Sequence, residues 1–208
     1  MKKSRVVVCL SGGTDSILCC EIARVGLDTE LAGTLFLDYG QPAVIQELAA
    51  SEAYCGLHNV PMHVVRADLQ GMFEMNAAPG EPGLRVVPGR NGIILSFAFN
   101  LAAAIDADQV WYGAIRDDLA YADCTPAWVE CFDRMAGLGW KKPIKVCAPL
   151  IELNKGDVLE RLLKAGVSMQ STWSCYAPIS ENQPCEQCNS CILFRDSLNV
   201  ARYNLGYI

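Results

Sequence analysis

The sequence predicts an α/β fold, a parallel sheet with helices on both faces, followed by a C-terminal metal-binding extension. Apolar runs of strand length alternate with longer segments of helical period, as in parallel strands joined by crossover helices. The first run, Arg5 to Leu10 (RVVVCL), leads straight into SGGTDS and the helical segment Ile17 to Val25, giving strand, glycine turn and helix in order. The extension is predicted by four cysteines, Cys175, Cys185, Cys188 and Cys191, spaced C-x9-C-x2-C-x2-C.

The remaining elements follow the same logic. Leu31 to Leu37 (LAGTLFL) is a second buried strand, ending in Asp38-Tyr39-Gly40-Gln41, and Ala43 to Cys55 is a helix for which Gly56 is the expected C-terminal cap. Met62 to Arg66 is a third strand. Asp68 to Pro88 contains NAAPGEPG and has no periodicity, so it is predicted to be a loop that orders with ligand. Pro88-Gly89-Arg90-Asn91 forms a turn into a helix over Ile93 to Ile105, and Gln109 to Tyr112 is a strand ending at Gly113. Thr125 to Leu138 reads as a helix, Ile144 to Cys147 as a short strand, Lys155 to Ala165 as a helix capped by Gly166, and Ile192 to about Asn204 as the last helix. No repeat or linker interrupts residues 1–208, so a single domain is expected, with the cysteine segment at 172–195.

Composition narrows the partners. With 51% hydrophobic and 19% charged residues the chain can fill a sizeable core, and long disorder is excluded. A net charge of -6 supplies none of the clustered cations that displace counterions from nucleic acid, so a small-molecule substrate is expected. The N-terminal apolar run ends in glycines without a secretory cleavage site, and no stretch approaches the roughly 20 apolar residues that span a bilayer. The eleven cysteines are odd in number, and Cys9, Cys19, Cys20, Cys131 and Cys147 fall in apolar segments, which suits reduced thiols in a cytoplasm.

Chemistry concentrates in two places. In SGGTDS the glycines let successive backbone N–H groups turn toward an anion at a helix start, at the tip of a strand where open parallel sheets bind ligands. Leu10, Ser11, Gly12, Gly13, Thr14, Asp15, Ser16 and Ile17 make up this cradle. Ser11 and Ser16 add hydroxyl donors, and Asp15 is suited to hold a Mg2+ bridging a polyphosphate. A plain glycine turn is the bland alternative. The four cysteines fit a closed tetrahedral Zn2+ site of structural type; a ferredoxin-like cluster is the alternative, but the C-x3-C-P run typical of such clusters is lacking.

SGGTDS resembles the SGGxDS motif of the PP-loop ATP pyrophosphatases. With D-Y-G-Q at Asp38 to Gln41, V-P-G-R-N at Val87 to Asn91, Y-x-D-C at Tyr121 to Cys124, P-L-x4-K at Pro149 to Lys155, and S-C-Y with P-C-x2-C-x-S-C-x3-R at Ser174 to Arg195, the chain is similar to the 7-cyano-7-deazaguanine synthase (QueC) family from residue 5 to about 202. The resemblance implies a Rossmann-like, adenine nucleotide alpha hydrolase-like sheet, a homodimer, zinc, and ATP with Mg2+. It also implies adenylation of 7-carboxy-7-deazaguanine and its conversion with ammonia to the nitrile, releasing AMP and pyrophosphate. Arg90 and Lys155 are the candidate cations for the phosphates, with Asp15 as third catalytic residue; the bland reading of either cation is a solvated surface charge. Tyr121, Asp123 and Trp173 are placed near the heterocycle, although Asp123 is equally a helix cap, core packing is the favoured reading of Trp173, and Asn91 is equally a cap. His58 and His63 lie in no motif and are read as structural.

The family has Arg-His after D-Y-G-Q where this chain has Pro42-Ala43, and D-x-S-G-Y-P-D-C-R where this chain has the shorter Asp118 to Thr125. Three readings therefore follow: a nitrile-forming synthase, a ligase that passes the same acid to another amine on a protein or nucleic acid, and an idle zinc and nucleotide-binding module.

Overall fold

The computed structural model of the protein describes residues 2–69, 87–119 and 121–207. Five strands, β1 (Ser4–Cys9), β2 (Thr29–Asp38), β3 (Met62–Arg66), β4 (Gln109–Trp111) and β5 (Lys145–Cys147), pair in parallel in the order β3-β2-β1-β4-β5. Helices α1 (Thr14–Val25), α2 (Val44–His58), α3 (Arg90–Ala104), α4 (Pro126–Leu138), α5 (Lys155–Lys164) and α6 (Asn189–Asn204) accompany them.

The central strand explains the layering. Val6, Val7 and Val8 are all fully buried, so β1 is covered on both faces. Side chains alternate across a strand. Val6, Val8 and Leu10 therefore pack with Ile17, Cys20, Tyr54, Val158 and Leu162 of α1, α2 and α5, while Val7 and Cys9 pack with Leu95, Ala98, Ala102, Phe132 and Ala136 of α3 and α4. Helix α6 lies outside α5, joined through Leu159, Leu198 and Ala201.

From β1 the chain builds outward to β2 and β3, then crosses back to β4 on the other side. The switch point falls between β1 and β4, and in sheets of this kind the crevice beyond those carboxyl ends is where ligands bind.

Some boundaries differ from the sequence reading. Helix α2 does not stop at Gly56 but runs to His58, and Asn59 takes the left-handed cap at φ 53 with its N–H directed to Cys55 and Gly56; asparagine tolerates that conformation nearly as well as glycine. Gly166, at φ 76, follows α5 as expected. Helix α3 starts at Arg90, which is thus the first helical residue and not part of the preceding turn. Cys131, read as part of an apolar segment, is exposed on α4, where Glu130 and Asp133 lie close to it in sequence. Most of the predicted 68–88 loop lies outside the described residues. No helix among the described residues is long and apolar enough to cross a membrane.

Candidate active site

The SGGTDS turn follows β1 at the switch point. Leu10 continues the strand, donating its N–H to Leu35. Gly12 then adopts φ 71, and a Cβ there would lie 2.5 Å from the Glu47 carbonyl oxygen and 2.9 Å from Ala50 Cβ, so both conformation and space demand glycine. Gly13 precedes α1, and its carbonyl accepts from Ile17 N–H at 3.0 Å. Ser16 staples the turn: its hydroxyl accepts from Ser11 N–H at 3.1 Å and donates to the Gly13 carbonyl at 2.9 Å. Its single proton is thereby committed, leaving backbone N–H groups as the natural anion donors of the loop.

Lys155 reaches this turn from 140 residues away in sequence. Its ammonium lies 2.7 and 2.6 Å from the two Asp15 oxygens and 3.2 Å from Thr14 Oγ1. A lysine at the first position of a helix opposes the macrodipole, and burial adds to the cost. Lys155 is only 7% exposed, and the Asp15 carboxylate offsets both. The helix start is independently fixed: Asn154 and Asp157 form a reciprocal capping box, and Asp117 accepts from Lys155 N–H at 2.6 Å. Next to Asp117, burial and the neighbouring Asp15 push the Asp118 carboxyl up to about 6.

Gly113 was legible only as a strand end. A Cβ on it would fall 2.9 Å from both Asp15 C and Ser16 N, so β4 can lie against the start of α1 only because this residue has no side chain.

A second group gathers around Arg90. Its guanidinium donates to the Tyr39 hydroxyl at 3.1 Å and lies 5.9 Å from that ring's centroid, a cation over an aromatic face. Burial works against the charge, but Tyr39, Tyr176 and Glu47 leave its pKa raised. Gln41 holds the turn after β2, accepting from Tyr39 N–H at 2.9 Å and donating to Glu47 at 2.9 Å and to the Leu37 carbonyl at 3.2 Å. Burial pushes the Glu47 carboxyl up to about 7, against the Gln41 hydrogen bond and the charge of Arg90. Sequence reasoning missed Glu47, since one more glutamate on a helix carries no signal.

Tyr121 is within electrostatic reach of Asp118 and Arg90. The Asp123 carboxylate accepts from Asn91 N–H at 3.0 Å, and its carbonyl accepts from the Asn91 amide at 3.3 Å and the Tyr112 hydroxyl at 3.2 Å. Asp123 thus caps the first turn of α3. Asn91 is not the cap, a position held by Gly89. Trp173 lies against the SGGTDS turn, its N–H on the Gly12 carbonyl and its indole N–H on the Cys175 carbonyl, both at 2.9 Å. His58 neighbours Glu21 and His63 lies in β3, both outside this cluster.

The four predicted ligand sulfurs come together, all within 4.8 Å of one another. A tetrahedral ion with metal–sulfur bonds of about 2.3 Å fits such a group. Cys175 Sγ accepts from Cys185 N–H at 3.2 Å and Cys185 Sγ from Cys188 N–H at 3.3 Å, the donors that a thiolate needs. The cluster can therefore hold a metal ion. None of the eleven cysteines is in a disulfide.

Against known families, the model of Queuosine biosynthesis protein QueC matches residues 5–202. The chain belongs to the QueC family. Relatives named 7-cyano-7-deazaguanine synthase include those of Azoarcus sp. (strain BH72), 34% identical over 95% of this chain and 93% of the relative, and Alcanivorax borkumensis, 36% identical over 95% and 96%. Among solved structures, the U34-tRNA thiolase NcsA from Methanococcus maripaludis with its [4Fe-4S] cluster covers 99% of this chain and 67% of its own, with TM-score 0.54 and 18% identity. NMN synthetase from Francisella tularensis has TM-score 0.53 at 14% identity, covering 99% of this chain and 78% of its own. At these identities the likeness speaks for the fold. Of the segments read as departing from the family pattern, Pro42 and Ala43 follow the Tyr39 to Gln41 turn beside Arg90, while Asp118 to Thr125 touches both groups, Asp123 through Asn91 N–H and Asp118 through the neighbouring Asp15.

Proposed function

We propose that this chain is a 7-cyano-7-deazaguanine synthase that uses ATP to adenylate 7-carboxy-7-deazaguanine and converts it with ammonia to the nitrile. The observation that carries this reading is the Lys155–Asp15 pair set on a glycine cradle at the switch point, in a chain whose QueC relatives bear that name. In the first half-reaction a carboxylate oxygen attacks the α-phosphorus of ATP and pyrophosphate leaves. Ammonia then adds to the acyl carbon, and AMP leaves with the carboxyl oxygen it carries, giving the amide. A second ATP activates the amide oxygen in the same way, and loss of AMP and protons from the activated amide leaves the C≡N bond.

The chain's residues supply position and charge. The backbone N–H groups of the Ser11 to Ser16 turn receive phosphate oxygens, Asp15 holds Mg2+, and Lys155 exchanges its carboxylate partner for the departing pyrophosphate. Arg90, steered by Tyr39, neutralises charge on the acyl phosphate. Tyr121, Asp123 and Trp173 border the heterocycle, Trp173 offering a ring face because its N–H is engaged. Zn2+ is the ion proposed for Cys175, Cys185, Cys188 and Cys191; as a closed four-thiolate site it supports folding. The chain is proposed to work as a single domain and as a homodimer.

The test offers ATP, Mg2+, the acid and ammonia and follows product mass and nucleotide. A nitrile formed with two AMP and two pyrophosphate supports the reading. ADP with orthophosphate overturns the PP-loop chemistry, and an adenylate that persists in ammonia but couples to another amine replaces synthase with ligase. Elemental analysis tests the metal, with iron and visible absorption as the result against zinc.

A further inference from the structure

Gly12 is held from two sides, and both sides lead to the four cysteines. On one side stand the Trp173 bonds to the Gly12 and Cys175 carbonyls, with the Trp173 carbonyl 3.5 Å from where a Cβ on Gly13 would be. On the other, α2 presses on Gly12 through the Glu47 carbonyl, and the adjacent Gln46 donates to the Ser180 carbonyl at 3.3 Å. Ser180 bridges to Gln183 in the segment between the first two cysteines of the cluster. The contacts form a ring: Gly12, Trp173, Cys175, the sulfur cluster, the 180–183 turn, Gln46, Glu47 and Gly12 again. Only the sulfur cluster needs something beyond the chain to stay closed, because neighbouring thiolates repel unless a cation joins them.

The ring also aims a donor. In a trans peptide the C=O and N–H point in opposite directions. A Gly12 carbonyl held toward Trp173 therefore fixes the Gly13 N–H on the opposite side of the same peptide.

We infer that Trp173 is a positioning residue that couples the metal site at Cys175, Cys185, Cys188 and Cys191 to the phosphate cradle, so that nucleotide and metal each strengthen the other's binding. The inference rests on the ATP reading above. A cluster that opens releases Cys175, then the indole bond, then the Gly12 carbonyl. A nucleotide that keeps the loop in place opposes the same sequence of events, and linkage makes the effect reciprocal.

The experiment uses the purified, metal-loaded chain with Mg2+ and a non-hydrolysable ATP analogue, at concentrations shown by equilibrium dialysis to saturate each variant. Metal release to a colorimetric chelator blind to magnesium is then timed. The analogue is expected to slow release about five-fold or more. Trp173→Phe keeps an aromatic ring and loses the indole N–H; the slowing should fall below about two-fold while metal content is retained. Gln46→Leu cuts the other arm and should also reduce it, which keeps the test available if Trp173→Phe does not fold. An analogue that binds the wild-type chain but leaves release unchanged overturns the coupling and leaves the ATP reading standing. A wild-type chain that binds no analogue overturns that reading and the coupling with it. Undiminished slowing in both variants removes Trp173 and the ring from the explanation.

Discussion

The SGGTDS turn, the proposed phosphate cradle, and the wall around Arg90 both lie beyond the carboxyl ends of the strands but are held together differently. In the cradle, beside the Lys155–Asp15 side-chain pair, the turn itself is set by main-chain contacts: Gly12 against the Glu47 carbonyl, Gly113 against the backbone of Asp15 and Ser16, and Ile17 N–H on Gly13. Around Arg90 side chains meet side chains, as in Tyr39 with Arg90 and Gln41 with Glu47. The first region depends on residues that lack a side chain, the second on which side chains are present. A cradle of this kind tolerates almost no substitution, whereas a wall can be altered one residue at a time. Of the segments read as departing from the QueC pattern, Pro42, Ala43 and Asp123 adjoin the second region, whereas Asp118 also neighbours Asp15 of the first.

The largest expected effect tests the cradle. Asp15→Ala should lower AMP and pyrophosphate release by about a thousand-fold or more, measured by chromatography, with an unchanged circular dichroism spectrum, because it removes the proposed magnesium position and the partner of Lys155. Turnover that survives would break the claim that this region is intolerant. Gly113→Ala should weaken ATP binding by about ten- to a hundred-fold in calorimetry, since a methyl group 2.9 Å from two backbone atoms must push α1 away from β4.

The next tests move to the wall. Arg90→Lys keeps the charge and loses the fork, so kcat/KM for the acid should fall about ten-fold with ATP affinity within two-fold of the parent. If ATP affinity falls instead, Arg90 belongs with the cradle. Glu47→Gln should give the smallest change. With its folded pKa raised from 4.5 to about 7, Glu47 keeps a proton that the unfolded chain has released, so its contribution is fully present below about pH 4.5 and is lost as pH rises through 7. Glu47→Gln should therefore raise the melting temperature at pH 8 by a few degrees, about 1 kcal/mol after allowance for partial exposure, and change nothing at pH 4. An equal shift at both pH values would show that packing, and not charge, is responsible.

What the sequence disclosed follows the same division. Gly12 was legible because glycine identity itself encodes a left-handed conformation, and the cysteines because two-residue spacing encodes a shared ligand position. Lys155 and Asp15 each stood out in a motif, but their pairing did not: the two are joined only after four crossovers have placed α5 beside α1. Gly113 passed for a strand terminator because the close approach it permits involves a helix start far away in sequence. Gly56 misled in the opposite direction. Nothing lies within 4 Å of its missing Cβ, so α2 runs through it and ends at Asn59. Glu47 was hidden because a helical carboxylate usually faces solvent, and burial here results from the way α2 leans on the loop.

The Lys155–Asp15 pair gives the site the logic of an AND gate. With Asp15 as the proposed magnesium ligand and the SGGTDS turn as the proposed phosphate cradle, magnesium arriving alone would meet a carboxylate already matched by an ammonium 2.6 Å away, and a nucleotide arriving alone an ammonium already matched by a carboxylate. Either would have to break a partly buried pair and leave one charge without its partner, which costs free energy. When the two inputs coincide, each orphaned charge gains a new partner in the same event. Titrations of Mg2+ without nucleotide, or of nucleotide without Mg2+, should accordingly bind at least about ten-fold more weakly than the two together.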